Sequence, residues 1–400
     1  MESGVNSDHC QVSFTGSGGQ YFKIWIVNIL LTIVTLYIYS AWAKIRTKRY
    51  FHGNTVIDGS SFEYHARPMQ ILLSRMVAAV LFIAATFGSS FNAVVSLGAT
   101  VLLILVIPFA IWRSTIFNMR MTSYRNVRFD FDGRVWPLYL YQGLFPLLIY
   151  GIGALGVYLW FRSNDLSGHL ILPALAAFLL FNLVIGAFTH HRLSQYFLNH
   201  YLYGKSRFSG TLVLGTFFRT YLLAALVALT GLVGAFLLWF NLYAPDGINL
   251  GEWLKSGFGV PSEESSEEEE LAFMFNMASL AIVFYAYLFT VGYFAVALVK
   301  AQVRNHVFGR ATLDKRITLQ SGVSTVRLWW IMFSNMLLLI VSLGLARPFT
   351  QVRMARYLAD RTSVQSPDTL DSFVAEKRKE VSAFGDELGD AFDADMDVSF

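Results

Sequence analysis

Cysteine is almost absent. Cys10 is the only one in 400 residues, so no disulfide can form within the chain and no cysteine-based metal cage can be built. Charge is scarce as well: 14% of the residues are Asp, Glu, Lys or Arg, against about 25% in a typical soluble domain. Between Arg75 and Arg113 a stretch of 37 residues carries no charge at all, which excludes a chain of ordinary soluble domains. No Asp or Glu lies in the core of any long apolar run. Proton pumps and ion-coupled carriers keep a carboxylate at membrane depth, so proton-driven transport is disfavoured. His-Glu-x-x-His, phosphate-binding Gly-rich and Gly-x-Ser-x-Gly motifs are all missing, so neither an enzyme, a cofactor nor a metal site is expected. The first 20 residues lack a basic signal-peptide start. The run that follows ends in Lys44, Arg46, Lys48 and Arg49 rather than a small-residue cleavage site, and should be retained.

What the sequence has is apolar length. Hydrophobic residues make up 55% of it, with a mean hydropathy of +0.48. A helix needs about 20 apolar residues to cross a bilayer. Eight runs come near that, at 24–42, 69–86, 93–112, 138–161, 170–189, 221–243, 271–299 and 328–346. The expected fold is an all-α, polytopic transmembrane helix bundle with internal pseudo-repeats. Its parts are an N-terminal segment (1–20), an integral membrane domain (21–361) interrupted by an acidic loop (244–270), and an acidic C-terminal tail (362–400).

Charge assigns the sides. Segments 43–68, 113–136, 190–219 and 300–327 hold 20 Lys/Arg and 5 Asp/Glu; connections 88–92, 162–168 and 244–270 hold 2 and 9. Short Lys/Arg-rich loops stay in the cytoplasm, so the first set is expected inside and the second in the periplasm of a bacterial inner membrane.

A shift of 307 residues aligns Asn28-Ile-Leu-Leu with Asn335-Met-Leu-Leu. It also aligns Arg46, Arg49, Tyr50 and Thr55 with Arg353, Arg356, Tyr357 and Thr362. Such repeats usually reflect structural pseudo-symmetry. A looser echo joins the basic segments, each of which carries an aromatic stretch and then a glycine, as in Phe14-Thr-Gly16 and Phe208-Ser-Gly210. The last apolar run has positive charge on both sides. Eight plain crossings would put both termini in the periplasm. Re-entrant first and last runs, turning back near Thr35–Tyr39 and Ser342–Leu345 under cover of their neighbours, would put them in the cytoplasm. The charge favours the second arrangement.

The matched residues are the candidate sites. Arg46, Arg49, Tyr50, Arg353, Arg356 and Tyr357 are either positive-inside anchors or, since arginine offers a planar fork, sites for anionic headgroups or partner loops. Asn28 and Asn335 form a polar pair inside apolar runs. A neutral amide in hydrocarbon needs partners, so both should face protein, with the first and last runs near each other about a pseudo-two-fold axis. Asn28→Leu is then expected to lower stability modestly. His190 and His191 are adjacent and cannot share one helix face, which argues against one metal between them. The acidic run Glu263–Glu270 reads as a solvated loop. In the tail, Phe373, Phe384, Leu388 and Phe392 have the spacing of a weakly amphipathic helix, either disordered or a docking element.

Phe14-Thr-Gly-Ser-Gly18, Asn28-Ile-Leu-Leu-Thr32, Thr35-Leu-Tyr-Ile-Tyr39-Ser-Ala-Trp42-Ala-Lys44, Arg49-Tyr50, Asp58-Gly59 and Phe62 together resemble the YjgN family of bacterial inner-membrane proteins. The resemblance runs to about Arg361 and is tightest over 12–65. Tyr37 stands where the family pattern has glycine, while the second copy keeps Gly344, and the acidic loop and tail lie outside the pattern. The resemblance implies location and architecture, not activity. Three functions are expected in order: a transport or permeation protein for a small or amphipathic solute; a non-catalytic membrane partner or regulator of another envelope protein; and an anionic-lipid-handling protein. The lipid bilayer, anionic lipid and a membrane protein are the expected partners, and nucleic acid is not.

Overall fold

The computed structural model describes residues 8–87, 92–162, 171–243, 266–366 and 369–379. The acidic run up to Ser265 and the tail positions Phe384, Leu388 and Phe392 lie outside the described residues. The chain alternates short β-hairpins with helical hairpins. Strand β1 (Asp8–Phe14) leads into helix α1 (Gly18–Val34), a turn, and α2 (Ser40–Gly53). The hairpin β2 (Thr55–Ile57) and β3 (Ser60–Tyr64) precedes α3 (Pro68–Phe87) and α4 (Ala93–Arg120). Strands β4 (Thr122–Tyr124) and β5 (Val127–Phe131) precede a π-helical segment (Tyr139–Leu144), α5 (Phe145–Arg162) and α6 (Ile171–His200). Strands β6 (Tyr201–Tyr203) and β7 (Ser206–Ser209) lead to α7 (Leu214–Tyr243), α8 (Glu267–Tyr287), a second π-helical segment (Leu288–Gly292) and α9 (Tyr293–Arg310). Strands β8 (Thr312–Leu313) and β9 (Ile317–Ser321) are followed by α10 (Thr325–Val341), α11 (Arg347–Asp360) and β10 (Thr362–Ser366). A last helix, α12, covers 370–379.

The fold is not all-α. The strands close into one antiparallel barrel of ten, in the order β1-β10-β9-β8-β7-β6-β5-β4-β3-β2. The expectation failed because each strand is only two to seven residues long, far below what an apolar run announces. No hairpin of this size is stable alone, but closure removes every unpaired edge. The turns are the local cause. Asp58-Gly59 and Arg125-Asn126 have positive φ, as primed two-residue turns require, and Asp314 and Lys315 take the same region in a three-residue connection. The ring is closed by β1 pairing with β10, with Cys10 opposite Val364 and Gln11 opposite Ser363. Strands β1 and β10 therefore lie with all four basic segments, on one side of the helices.

Glycine follows the strands for a physical reason. A Cβ at Gly16 would lie 2.7 Å from the Phe14 ring and one at Gly133 2.6 Å from the Phe131 ring. At both positions the aromatic two residues earlier folds back over the glycine, whereas at Gly210 a Cβ would instead meet the Arg310 carbonyl.

Five helical segments among the described residues are long and apolar enough to cross a bilayer. The first and last apolar runs are broken instead, and the two breaks are the same structure displaced by 307 residues. Leu36 and Tyr37 take φ of 46° and 75°; Leu343 and Gly344 take 48° and 87°. Tyr37 N–H donates to Thr32 O at 2.8 Å, and Gly344 N–H to Leu339 O at 2.8 Å. Thr35 Oγ1 accepts from Tyr39 N–H, and Ser342 Oγ accepts from Ala346 N–H. Each tip presents bare apolar side chains, with Leu36 88% and Leu343 92% exposed, as a segment dipping into hydrocarbon would. The arms α1 and α10, 17 residues each, are about 25 Å long, short of a full crossing. Helix α1 packs on α11, so the first and last hairpins are neighbours.

Candidate functional site

Alternation along the strands fills the barrel with apolar side chains. In β1, Cys10, Val12 and Phe14 are buried while His9, Gln11 and Ser13 are exposed. Cys10 is thus a core residue. The interior is not packed solid. It holds a chamber of about 460 Å³ walled by Val12, Ile57, Phe62, Tyr124, Phe129, Tyr203, Phe208, Leu313, Ile317, Leu319 and Val364. That volume lies in the range of small-molecule sites. The wall's phenols are satisfied without the chamber: Tyr124 donates to Ile57 O at 2.8 Å and Tyr203 to Tyr124 O at 3.1 Å. Burial pushes the Tyr124 phenol up to about 12 and raises that of Tyr203 further, so neither ionises near neutrality.

Helix α12 closes the end of the barrel where the hairpin turns lie. Leu370, Phe373 and Val374 are buried against the barrel core. Charged residues flank this apolar face and clasp the turns. Asp371 pairs with Arg125 at 2.5 Å, Glu376 with Arg316 at 3.0 Å, and Lys377 with Asp314 at 3.1 Å. The Lys377 side chain is only 6% exposed, its ammonium on the acid and 5.4 Å from the centre of the Phe373 ring. The hydrogen bond from Lys377 holds Asp314 below its ordinary range, and that from Arg316 does the same for Glu376. The sequence showed Phe373 but not its destination, because amphipathic spacing does not say what covers the apolar face.

The opposite end of the chamber rests on helix termini: Arg304 and Phe308 from α9, and Ala355, Leu358 and Ala359 from α11. Two further apolar cavities begin there. One of about 420 Å³ runs between α6 and α9, and one of about 510 Å³ lies among α6, α9, α10 and α11. Phe308 lines all three; Arg304 and Leu358 line the chamber and the larger neighbour. The chamber thus borders directly on the helix bundle. Arg304 donates from Nη2 to Thr362 Oγ1 at 2.8 Å and its guanidinium lies 4.3 Å from the Phe308 ring centre. In the sequence Arg304 is one of the positive-inside charges, and nothing in its neighbours marks a residue that lines a barrel chamber.

Four of the residues matched across the repeat, Arg49, Tyr50, Arg356 and Tyr357, are engaged with backbone. Arg49 donates to the carbonyls of Tyr64 and Ala66, both at 3.2 Å, at the exit of β3. Arg356 donates to Gly16 O at 2.9 Å, at the exit of β1. Tyr50 donates to Ser17 O at 2.8 Å and Tyr357 to Ser324 O at 3.2 Å, again 307 residues apart. Arg46 lies over the Tyr39 ring at 5.9 Å. Arg353 donates to Ser334 Oγ and to Asn335 Oδ1. Asn335 is buried and also donates to Thr350 O at 3.3 Å. Asn28 is equally buried, at 4% exposure, but neither atom of its amide group has a hydrogen-bond partner. None of these residues lines the chamber. His190 meets Tyr221 Oη at 3.0 Å and His191 meets Leu212 O at 3.1 Å, so the two rings serve different contacts.

Comparison with known proteins places this architecture. The chain is 26% identical over 373 residues to a protein described as inner membrane protein YjgN from Salmonella typhimurium (strain LT2), covering 91% of this chain and 90% of that one. It is 25% identical over 368 residues to the inner membrane protein YjgN of Escherichia coli O157:H7, covering 87% of each. With the protein of that description from Escherichia coli (strain K12), 31% identity extends over 137 residues, 34% of each chain. No solved structure matches. A family model described as bacterial protein of unknown function (DUF898) matches residues 9–391, taking in the acidic loop and α12 as well as the repeat. With its apolar helices and its inner-membrane relatives, the chain is a membrane protein that belongs to the DUF898 family of bacterial proteins.

Proposed function

We propose that this protein is a transport or permeation protein for a small or amphipathic solute, and that the barrel is the compartment that holds the solute. One observation carries the reading. An apolar chamber of about 460 Å³, closed at the hairpin end by α12, shares lining residues with cavities among the membrane helices. A solute with apolar surface can therefore pass between the bundle and the barrel without leaving apolar surroundings, with no intramembrane carboxylate needed. The barrel faces the cytoplasm in this reading, supported by the 20 Lys/Arg against 5 Asp/Glu in the segments that form it. The role is that of a carrier rather than an enzyme. Its partners are the bilayer and what the bilayer dissolves.

The test is transfer of a fluorescent amphiphile between vesicles containing the full-length protein and empty acceptor vesicles. Transfer faster than in protein-free vesicles is expected. Filling the chamber with Ala355→Phe should abolish the acceleration while the thermal transition of the protein persists. Equal rates for the wild-type protein and protein-free vesicles would end the proposal.

A further inference from the structure

Several cations near the barrel are held by acids. Arg120 pairs with Asp130, Arg207 with Asp132, Arg125 with Asp58 and Asp371, and Lys377 with Asp314. Arg304 is different. Its side chain points into apolar surroundings, its Nε is enclosed with no hydrogen-bond partner, and no carboxylate among the described residues lies within ion-pair distance of it. Burying a charge without a counter-ion is costly, and a guanidinium cannot escape by losing its proton. The hydroxyl of Thr362 and the face of Phe308 compensate only in part. Lys300 lies four residues before Arg304 on the same face of α9, lines the larger bundle cavity, and likewise has no acid partner among the described residues. Two cations and an imidazole, His190, thus line that apolar cavity, whose walls hold no carboxylate.

We infer that Arg304, assisted by Lys300, receives the anionic head of an amphiphile whose apolar chain lies in the barrel chamber. Arg304 stands where the chamber and the bundle cavity meet, so a head bound there leaves the chain free to enter the barrel. A planar guanidinium with a free N–H suits a carboxylate or a phosphate oxygen. The inference rests on the reading of the chamber as a solute compartment, and its test separates the two.

The probes are a fluorescent fatty acid and its methyl ester, titrated into the full-length protein in uncharged detergent. The wild-type protein should bind the acid about tenfold or more tightly than the ester, the ratio that one charge-assisted hydrogen bond supplies. Arg304→Gln should erase that preference by weakening binding of the acid; Lys300→Gln should reduce it. Arg304→Lys, which keeps the charge, should retain part of the preference and serves if the glutamine variant fails to fold. Competition by oleate or by phosphatidic acid then tells whether a free acid or a phospholipid head fits better. Equal affinity for acid and ester, or an unchanged preference in Arg304→Gln, would overturn the Arg304 assignment and leave the chamber reading intact. Failure of both probes to bind would remove the chamber reading itself.

Discussion

Asn28 and Asn335 occupy equivalent positions, yet their surroundings differ, and stability should register it. The Asn335 amide is bonded to Thr350 and Arg353, whereas the Asn28 amide group has no partner. Asn335→Leu should therefore cost about 1–2 kcal/mol, and Asn28→Leu should be neutral or stabilising, since it removes an unsatisfied buried group. This reverses the loss expected for Asn28→Leu from sequence. Melting both variants in detergent decides it; a loss at Asn28 as large as at Asn335 contradicts the assignment. The left-handed turns give a second contrast. Tyr37→Gly should raise stability by about 1 kcal/mol by relieving a φ of 75°, and Gly344→Ala should lower it by about as much. Arg49→Lys should also destabilise, by about 1 kcal/mol, because one ammonium cannot span the two carbonyls that the guanidinium holds. A simple charge anchor would tolerate that change. The pairing of these residues was legible in the sequence because a fixed shift aligned them. Their partners were not, since a backbone carbonyl leaves no mark on composition.

Among the elements, α12 is the one whose role depends most on charge. Asp314 and Glu376 are both held below their ordinary values of 3.8 and 4.5 by their cationic partners. A carboxylate with a depressed pKa in the docked state stabilises docking above its ordinary value, and that contribution disappears as pH falls through the depressed one. Protection of 370–379 against hydrogen exchange should therefore hold from pH 8 down to about pH 5 and weaken below the carboxylate range. Asp314→Asn should loosen the helix more than Glu376→Gln, because it removes the 3.1 Å partner of a nearly buried ammonium. Protection that survives at pH 3, or that is insensitive to Asp314→Asn, would mean that Leu370, Phe373 and Val374 hold the helix alone. The strands show where sequence reading stopped at this scale. Asp58-Gly59 between Val56-Ile57 and Ser60–Phe62 is a hairpin signal, the one local mark of the strands that the sequence carries at this point. The helical runs were legible because each carries its own apolar length. Strands of two to seven residues have meaning only in the closed ring.

For the whole molecule, the closing of β1 onto β10 ties the segments before the first apolar run and after the last to the basic hairpins, and with both of those runs broken it removes the arrangement of eight plain crossings. Cysteine labelling in a Cys10→Ser background should find Lys315→Cys protected in intact spheroplasts and Glu268→Cys reactive. The reverse pattern would put the barrel on the periplasmic face. The central claim is that the barrel chamber holds an apolar or amphipathic molecule delivered from the bilayer. Native mass spectrometry of the full-length protein, taken gently from its own membrane, tests it most directly. A discrete adduct of lipid-like mass should be present on the wild-type protein and absent from the equally folded Ala355→Phe variant. A wild-type protein that carries no adduct, or an adduct that persists when the chamber is filled, would contradict it.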